Sequence, residues 1–274
     1  MPCLGNAQEE TSDLTFAKAD ALYQTGDFAS SALEYERVIF QATTIEIVNT
    51  ALFGRVRCFK QMQQFGKALD ELLRIRLFSL NQKQAVEYHY EKILCYYLMG
   101  SFNEARGAID EMYLNITDSE SRASTLLLQT FIYNELQQWE EAKQTALAYV
   151  NTFPSPQKDS MEAVIHQMYS KNNLPKLKKE KTSKVLAFVP GLAHIYAGYW
   201  TEGITSFLLN SAALAFGVYE VLNGYNVTGY LVGAGVLSLT YFGSLQRASF
   251  LLNKSNHETV SSFNNNVKKE LLAL

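Results

Sequence analysis

Four histidines and three cysteines are the side chains best equipped for chemistry in this 274-residue chain, and their spacing brings few of them together. His89, His166, His194 and His257 lie far apart, with none four residues from another, so no helical pair of imidazoles is written for a zinc ion. Cys3, Cys58 and Cys95 form no CxxC pair and, being odd in number, no closed disulfide framework. No nucleophile elbow, phosphate-cradling glycine loop or zincin motif is present. The sharpest candidates are His194 and Glu202, inside "FVPGLAHIYAGYWTEG" (188–203). Residues 185–246 carry only Glu202 and Glu220 as charged side chains, and ionisable groups in so apolar a setting mark proton or ion pathways by default. The plainer reading is that His194 hydrogen-bonds a neighbour at the edge of a membrane. No catalytic residue, metal site or cofactor is assigned, and the chain is expected not to be an enzyme.

The elements that position these residues divide into two kinds of sequence. Formal net charge is −3, without the clustered basic face that nucleic-acid binding needs, and apolar content is an ordinary 47%. That average conceals a charged half, 12–184, and a nearly uncharged one, 185–246. The opening "MPCLGNAQEE" has no basic region and no apolar core of a secretory signal, so residues 1–11 are expected to be a disordered tail or the remnant of a signal peptide.

The charged half repeats. "GDFASS", "QQFGKA", "GSFNEA" and "QQWEEA" align on Phe28, Phe65, Phe102 and Trp139, each 37 residues after the last, with Ser31, Ala68, Ala105 and Ala142 three positions later. Upstream columns share the interval: Leu22, Phe59, Tyr96 and Tyr133; Ala21, Cys58, Cys95 and Ile132; Ala19, Val56, Ile93 and Thr130. Apolar columns at such offsets describe helix faces. Each unit reads as helix, tight turn at Gly26, Gln64, Gly100 or Gln138, and second helix begun by the aromatic. The small residue lets the two helices approach. "SMEAVIHQMYSKN" (160–172) falls where a capping helix belongs, with His166 on its surface or packed. Helix pairs of this kind cannot bury their apolar stripes alone and stack. Cys58 and Cys95 are then equivalent positions roughly 10 Å apart, too far for a bridge, and are expected to be free core thiols.

This pattern resembles the tetratricopeptide repeat over about residues 12–155, with Tyr35, Leu72, Ile109 and Ala146 in the column four beyond the small residue. It departs from that family in its period of 37 instead of 34 and in placing Lys18, Arg55, Lys92 and Gln129 where a leucine column is usual. The resemblance implies a right-handed α-solenoid over 12–174 that binds a protein or peptide. Lys18, Arg55 and Lys92 would form a basic stripe for an acidic segment or a C-terminal carboxylate, or else a solvated face. Phe16, Phe53, Tyr90 and Leu127 are expected in the core.

A lysine-rich linker, 175–184, holds Lys176, Lys178, Lys179, Lys181 and Lys184. Two apolar runs follow, 203–222 and 227–246; the second, at 20 residues, spans about 30 Å as a helix, the thickness of a bilayer core. With a turn at "LNGYN" they read as a transmembrane helical hairpin, preceded by an interfacial or re-entrant segment at 185–201 that Pro190 interrupts and Tyr196, Tyr199 and Trp200 anchor. Ala213 with Gly217, and Gly229 with Gly233, are spaced four apart for close helix packing, within the hairpin or between copies of the chain. Lysines before the first run and Arg247, Lys254, Lys268 and Lys269 after the second place both ends in the cytoplasm. Residues 253–274 are expected to be a polar tail. "PGLAHIYAGYWTEG" resembles the Pro-Gly-x-Gly-Gln-x-Tyr-x-Gly-x-x-x-x-Gly signature of bacterial two-transmembrane-helix domains over about 182–255, through Pro190, Gly191, Tyr196, Gly198 and Gly203, with Ala193 and His194 in place of glycine and glutamine. The resemblance implies the bacterial inner membrane. The expected function is a non-catalytic scaffold recruiting a protein partner to that bilayer. An envelope protein with periplasmic repeats, and a small transporter or channel subunit, are the alternatives.

Overall fold

The turn that closes each helix pair fixes the first part of the fold. The structure, a computed structural model, describes residues 3–152 and 158–273, with side chains from residue 14 onward. It is helical throughout, and no strand occurs among the described residues. The chain divides into two units, Met1–Tyr169 and Ser170–Ala273, so the second unit begins five residues ahead of the expected linker.

The first unit contains α1 (Cys3–Gln24), α2 (Phe28–Gln41), α3 (Ile45–Gln61), α4 (Phe65–Arg74), α5 (Gln82–Leu98), α6 (Phe102–Asn115), the short α7 (Ser119–Ala123), α8 (Leu126–Glu135), α9 (Trp139–Thr152) and α10 (Lys158–Met168). Residues 3–11 belong to α1 and are helical, where a disordered tail or a signal-peptide remnant was expected. The run "AQEE" is made of good helix formers continuous with the helix that follows. Each long helix packs on its neighbours in sequence, from α1 on α2 through α8 on α9 and α9 on α10.

All four aromatics of the 37-residue column are the first residue of a second helix. The small residues behind them, Ser31, Ala68, Ala105 and Ala142, are fully buried. So are Ala19, Val56, Ile93 and Thr130 from the first helices, and Tyr35, Leu72, Ile109 and Ala146 are buried opposite them. Close approach is also written into α3, where Gly54 lies under the Tyr35 ring and a Cβ there would come within 2.5–2.7 Å of ring atoms. Cys58 and Cys95 are free and buried, and burial pushes the Cys95 thiol up to about 12. Phe53 is buried as expected, while Ala21 is exposed and leaves its column. Tyr169, just past α10, is buried and donates a hydrogen bond to Asn134 of α8 (3.0 Å).

Every turn is a Schellman motif. Asp27, Gln64, Ser101 and Gln138 donate backbone N–H bonds to the carbonyls of Leu22, Phe59, Tyr96 and Tyr133, and the preceding residue donates to the carbonyl three back. That preceding residue is left-handed in all four: Gly26 (φ 84°), Gln63 (57°), Gly100 (74°) and Gln137 (59°). The expected turn residues Gln64 and Gln138 are thus one position late. The left-handed sites keep the 37-residue interval, and glutamine occupies two of them despite its Cβ.

The second unit contains α11 (Glu180–Leu186), α12 (Leu192–Ala197), α13 (Trp200–Leu222), α14 (Asn226–Thr228), a π-helical stretch (Gly229–Ala234) and α15 (Gly235–Ala273). Among the described helices α13 alone is long and apolar enough to cross a membrane. The expected second span, 227–246, is helical, but it passes through α14 and the π stretch before α15 begins. The expected polar tail, 253–274, is helical as far as Ala273. α15 continues to Ala273, because nothing after Gly243 is glycine or proline. α11 likewise takes up the end of the lysine-rich segment.

The turn geometry makes a stability prediction. Gly26→Ala and Gly100→Ala should each cost about 1 kcal/mol, since nothing lies within 4 Å of the added Cβ and only the left-handed backbone opposes it. Gln63→Gly and Gln137→Gly should each gain up to about 1 kcal/mol. Thermal melts of the full chain in detergent should show the two pairs moving in opposite directions.

Candidate functional site

The basic column is the first candidate, and its charges are already engaged. Lys18 pairs with Glu34 (2.7 Å). Arg55 pairs with Glu71 (2.8 Å) and also with Glu36. Lys92 pairs with Glu111 (2.6 Å). In the fourth unit Gln129 replaces the cation, is fully buried, donates to the Thr125 hydroxyl (2.7 Å) and accepts from the Tyr113 hydroxyl (3.2 Å). Lys92 is itself buried. Burial opposes its charge, but the Glu111 carboxylate more than offsets this and holds its pKa above the ordinary lysine value. Arg74 adds a second guanidinium to Glu36 and Glu71, so Arg55 sits in a network. The column therefore ties first helices to second helices, and a solvated stripe of free cations is not what these residues form. The carboxylates were the missed half: Glu34 and Glu71 are also 37 apart and follow Lys18 and Arg55 by 16 residues, a spacing legible once the helix pair is drawn.

The glycine motif is the second candidate. Pro190 stands between α11 and α12, where its missing N–H costs no helical bond. Gly191 (φ 91°) and Gly198 (φ 99°) bound α12 on either side in the left-handed region. Gly191 and Gly203 press backbone on backbone: a Cβ on Gly191 would strike the Gly203 carbonyl, and one on Gly203 would lie 2.8 Å from the Gly191 carbonyl oxygen and 2.6 Å from Ile195. Tyr196 accepts a bond at its hydroxyl from the Lys179 N–H (2.9 Å). Lys178 donates from Nζ to the Ala197 carbonyl (2.6 Å) and to Ser255 (2.9 Å), while its own peptide exchanges two hydrogen bonds with the Asn256 amide. That lysine neutralises the C-terminal carbonyls of α12 and belongs to the packed unit, so the expected linker is in part a structural strap.

From the motif onward α13 meets the following helix in antiparallel register. Arg247 donates to both Glu202 oxygens (2.7 and 2.9 Å). Ser206 and Ser244 share a hydrogen bond (2.7 Å). Thr240 donates to Asn210 Oδ1 (2.9 Å), and Asn210 donates to the Ser206 carbonyl (2.8 Å). Beyond these polar rungs the contact becomes backbone on backbone. Ala213 is buried, a Cβ on Gly217 would lie 3.2 Å from the Gly233 Cα, one on Gly233 would strike the Gly217 backbone, and one on Gly229 would lie 2.6 Å from Val221. Gly217 thus meets Gly229 and Gly233 within the chain, and Ala213 is buried one turn earlier on α13.

His194 stands beside the polar rungs. It is 2% exposed, and its Nδ1 has no hydrogen-bond partner. With Glu202, Arg247, Ser206, Asn210 and Thr240 it lines an open cleft of about 370 Å³. Burial lowers its pKa, the Glu202 carboxylate pulls the other way and Arg247 adds to the lowering, which favours the uncharged imidazole. Among the described residues no group of histidine, cysteine or carboxylate side chains is arranged to hold a metal ion. The rungs were legible as a polar residue every fourth position (Glu202, Ser206, Asn210) along one face of a mostly apolar helix. No family model, curated protein or solved structure matches the chain.

The two candidates should respond differently to substitution. Glu111→Ala leaves Lys92 buried without its carboxylate and should cost about 2–3 kcal/mol. Lys18→Ala removes an exposed partner and should cost less than about 1 kcal/mol. Gly191→Ala and Gly233→Ala, each forced against backbone, should cost at least about 2 kcal/mol. Denaturant or thermal unfolding of the detergent-purified chain checks all four.

Proposed function

We propose that the chain is a non-catalytic, membrane-anchored scaffold. In this reading the helix pairs of 12–174 form an α-solenoid that holds a protein or peptide partner, and 203–246 form a two-span hairpin that fixes it to the bacterial inner membrane. One observation carries the anchor. The large apolar side chains of α13 and of the segment it packs against point outward: Leu208, Leu209, Leu222, Leu231 and Leu239 are more than half exposed, while the polar groups pair inside. A soluble helix pair has the opposite arrangement, and an apolar jacket of this extent demands lipid or protein around it. The resemblances to tetratricopeptide repeats and to two-transmembrane-helix domains support the same reading.

The interaction role is supported by a further column of the repeats. Phe40, Leu77 and Leu114 are 37 residues apart and are 92%, 45% and 83% exposed. The paired state of Lys18, Arg55 and Lys92 speaks against recognition of a carboxylate by that column alone. Anchoring raises the effective concentration of whatever the repeats hold near the bilayer. The lysines of 176–184 favour repeats on the cytoplasmic side.

The test is extraction and topology of the full chain in bacterial membranes. Resistance to alkaline carbonate is expected, and release into the supernatant would reject the anchor. An alkaline-phosphatase fusion at residue 160 should be inactive; activity there would assign the repeats to the periplasm.

A further inference from the structure

The mouth of the His194 cleft is unusual in offering both charges at once. Glu202, in the first turn of α13, and Arg247, just past the last uncharged residue of the second apolar run, are both partly exposed. Their ion pair carries no net charge, and Lys254, whose charge also reaches Glu202, is itself offset by Glu258 (3.9 Å), yet neither Glu202 nor Arg247 is saturated. Arg247 spends Nε and one Nη hydrogen on the carboxylate and keeps three N–H donors, and the carboxylate keeps lone pairs beyond the two in use. His194 adds a buried polar atom that lacks a partner. Thr201 and Thr205 line the same cleft with further hydroxyls. The cleft reaches inward to Asn210, eight residues along α13 and so about 12 Å from Glu202. Leu209, more than half exposed, makes part of its wall apolar.

We propose that this cleft seats the headgroup of a phospholipid bearing both a phosphate and a primary ammonium, of the ethanolamine type. The phosphate takes the free N–H donors of Arg247, the ammonium donates to Glu202, and the acyl chains lie along the exposed leucines of α13. The inference rests on the membrane reading of α13. Electroneutrality of the mouth selects the ligand: a purely anionic headgroup brings an uncompensated charge beside Glu202, and a choline headgroup has no N–H to give it. A headgroup lying at the interface meets these two residues where a spanning helix begins.

Binding is measured by native mass spectrometry of the delipidated full chain, titrated with phosphatidylethanolamine, phosphatidylglycerol and phosphatidylcholine of matched chains. One phosphatidylethanolamine per protein is expected, retained at least 10-fold more tightly than the other two. Glu202→Gln, Arg247→Gln and His194→Ala should each weaken it about 10-fold, with Glu202→Gln also erasing the preference over phosphatidylcholine. Equal or tighter binding of phosphatidylglycerol would overturn the proposal, as would equal binding of phosphatidylcholine. Water-soluble glycerophosphoethanolamine binding as tightly as the lipid would overturn the lipid assignment. A photoreactive phosphatidylethanolamine analogue, used on the unaltered chain, removes any dependence on the folding of variants. Adducts within 194–210 and 240–247 support the site, and adducts confined elsewhere reject it. A chain that resists carbonate yet shows no headgroup preference sinks this inference alone, whereas a chain released by carbonate sinks the anchor with it.

Discussion

Close approach of helix backbones, at positions with little or no side chain, is the constraint on which both units depend. In the repeats it is set by Ser31, Ala68, Ala105 and Ala142, all fully buried, and by Gly54 beneath Tyr35. In the second unit it is set by Gly191 against Gly203 and by Gly217 against Gly233. Dispersion contacts are individually weak and fall off steeply with separation, so a gap the width of one methyl group would forfeit much of the attraction along a whole helix pair. The larger side chains only work around these contacts: Tyr35, Leu72 and Ile109 fill the space that the small residues define.

Charge is handled in the same economical way. The repeat cations face carboxylates of neighbouring second helices, while Lys60 and Glu91 pair one first helix with the next. In the second unit the one acid in the first turn of α13 meets the first arginine after the second apolar run. Groups already paired contribute little to long-range attraction of a charged partner. These paired groups therefore act over short range, between the helices that carry them.

How far the sequence revealed this depended on whether the determinant was local. The 37-residue columns were legible because each is a row of buried or turn positions repeated in place. The turn register was misjudged by one residue in the second and fourth units, since the left-handed site holds Gln63 and Gln137 and the double glutamine there gives no conformational cue. Glycine at Gly26 and Gly100 marked it correctly. Lys178 looked like linker because its partners, Ser255 and Asn256, lie 77 and 78 residues away. The carboxylates opposite Lys18 and Arg55 were hidden for a related reason: a single column shows one helix face and not what stands across from it. The helical nature of 253–273 was lost to its polarity, although polarity alone does not end a helix. Of the cleft, His194 and Glu202 stood out individually, while the rungs from Ser206 and Asn210 needed the antiparallel register to acquire partners.

The length of α15 has a mechanical consequence. It runs for 39 residues without interruption, and 26 of them lie beyond Arg247, about 39 Å of helix. That length is gripped at intervals: Leu251 and Leu252 pack with Ala197, Lys178 bonds to Ser255 and Asn256, and Val260, Asn264, Val267 and Leu271 are buried further on. The buried positions recur every three or four residues, so one face of the helix is covered along this stretch. α15 is built as a keel, held at many points and not only at the glycines where it begins.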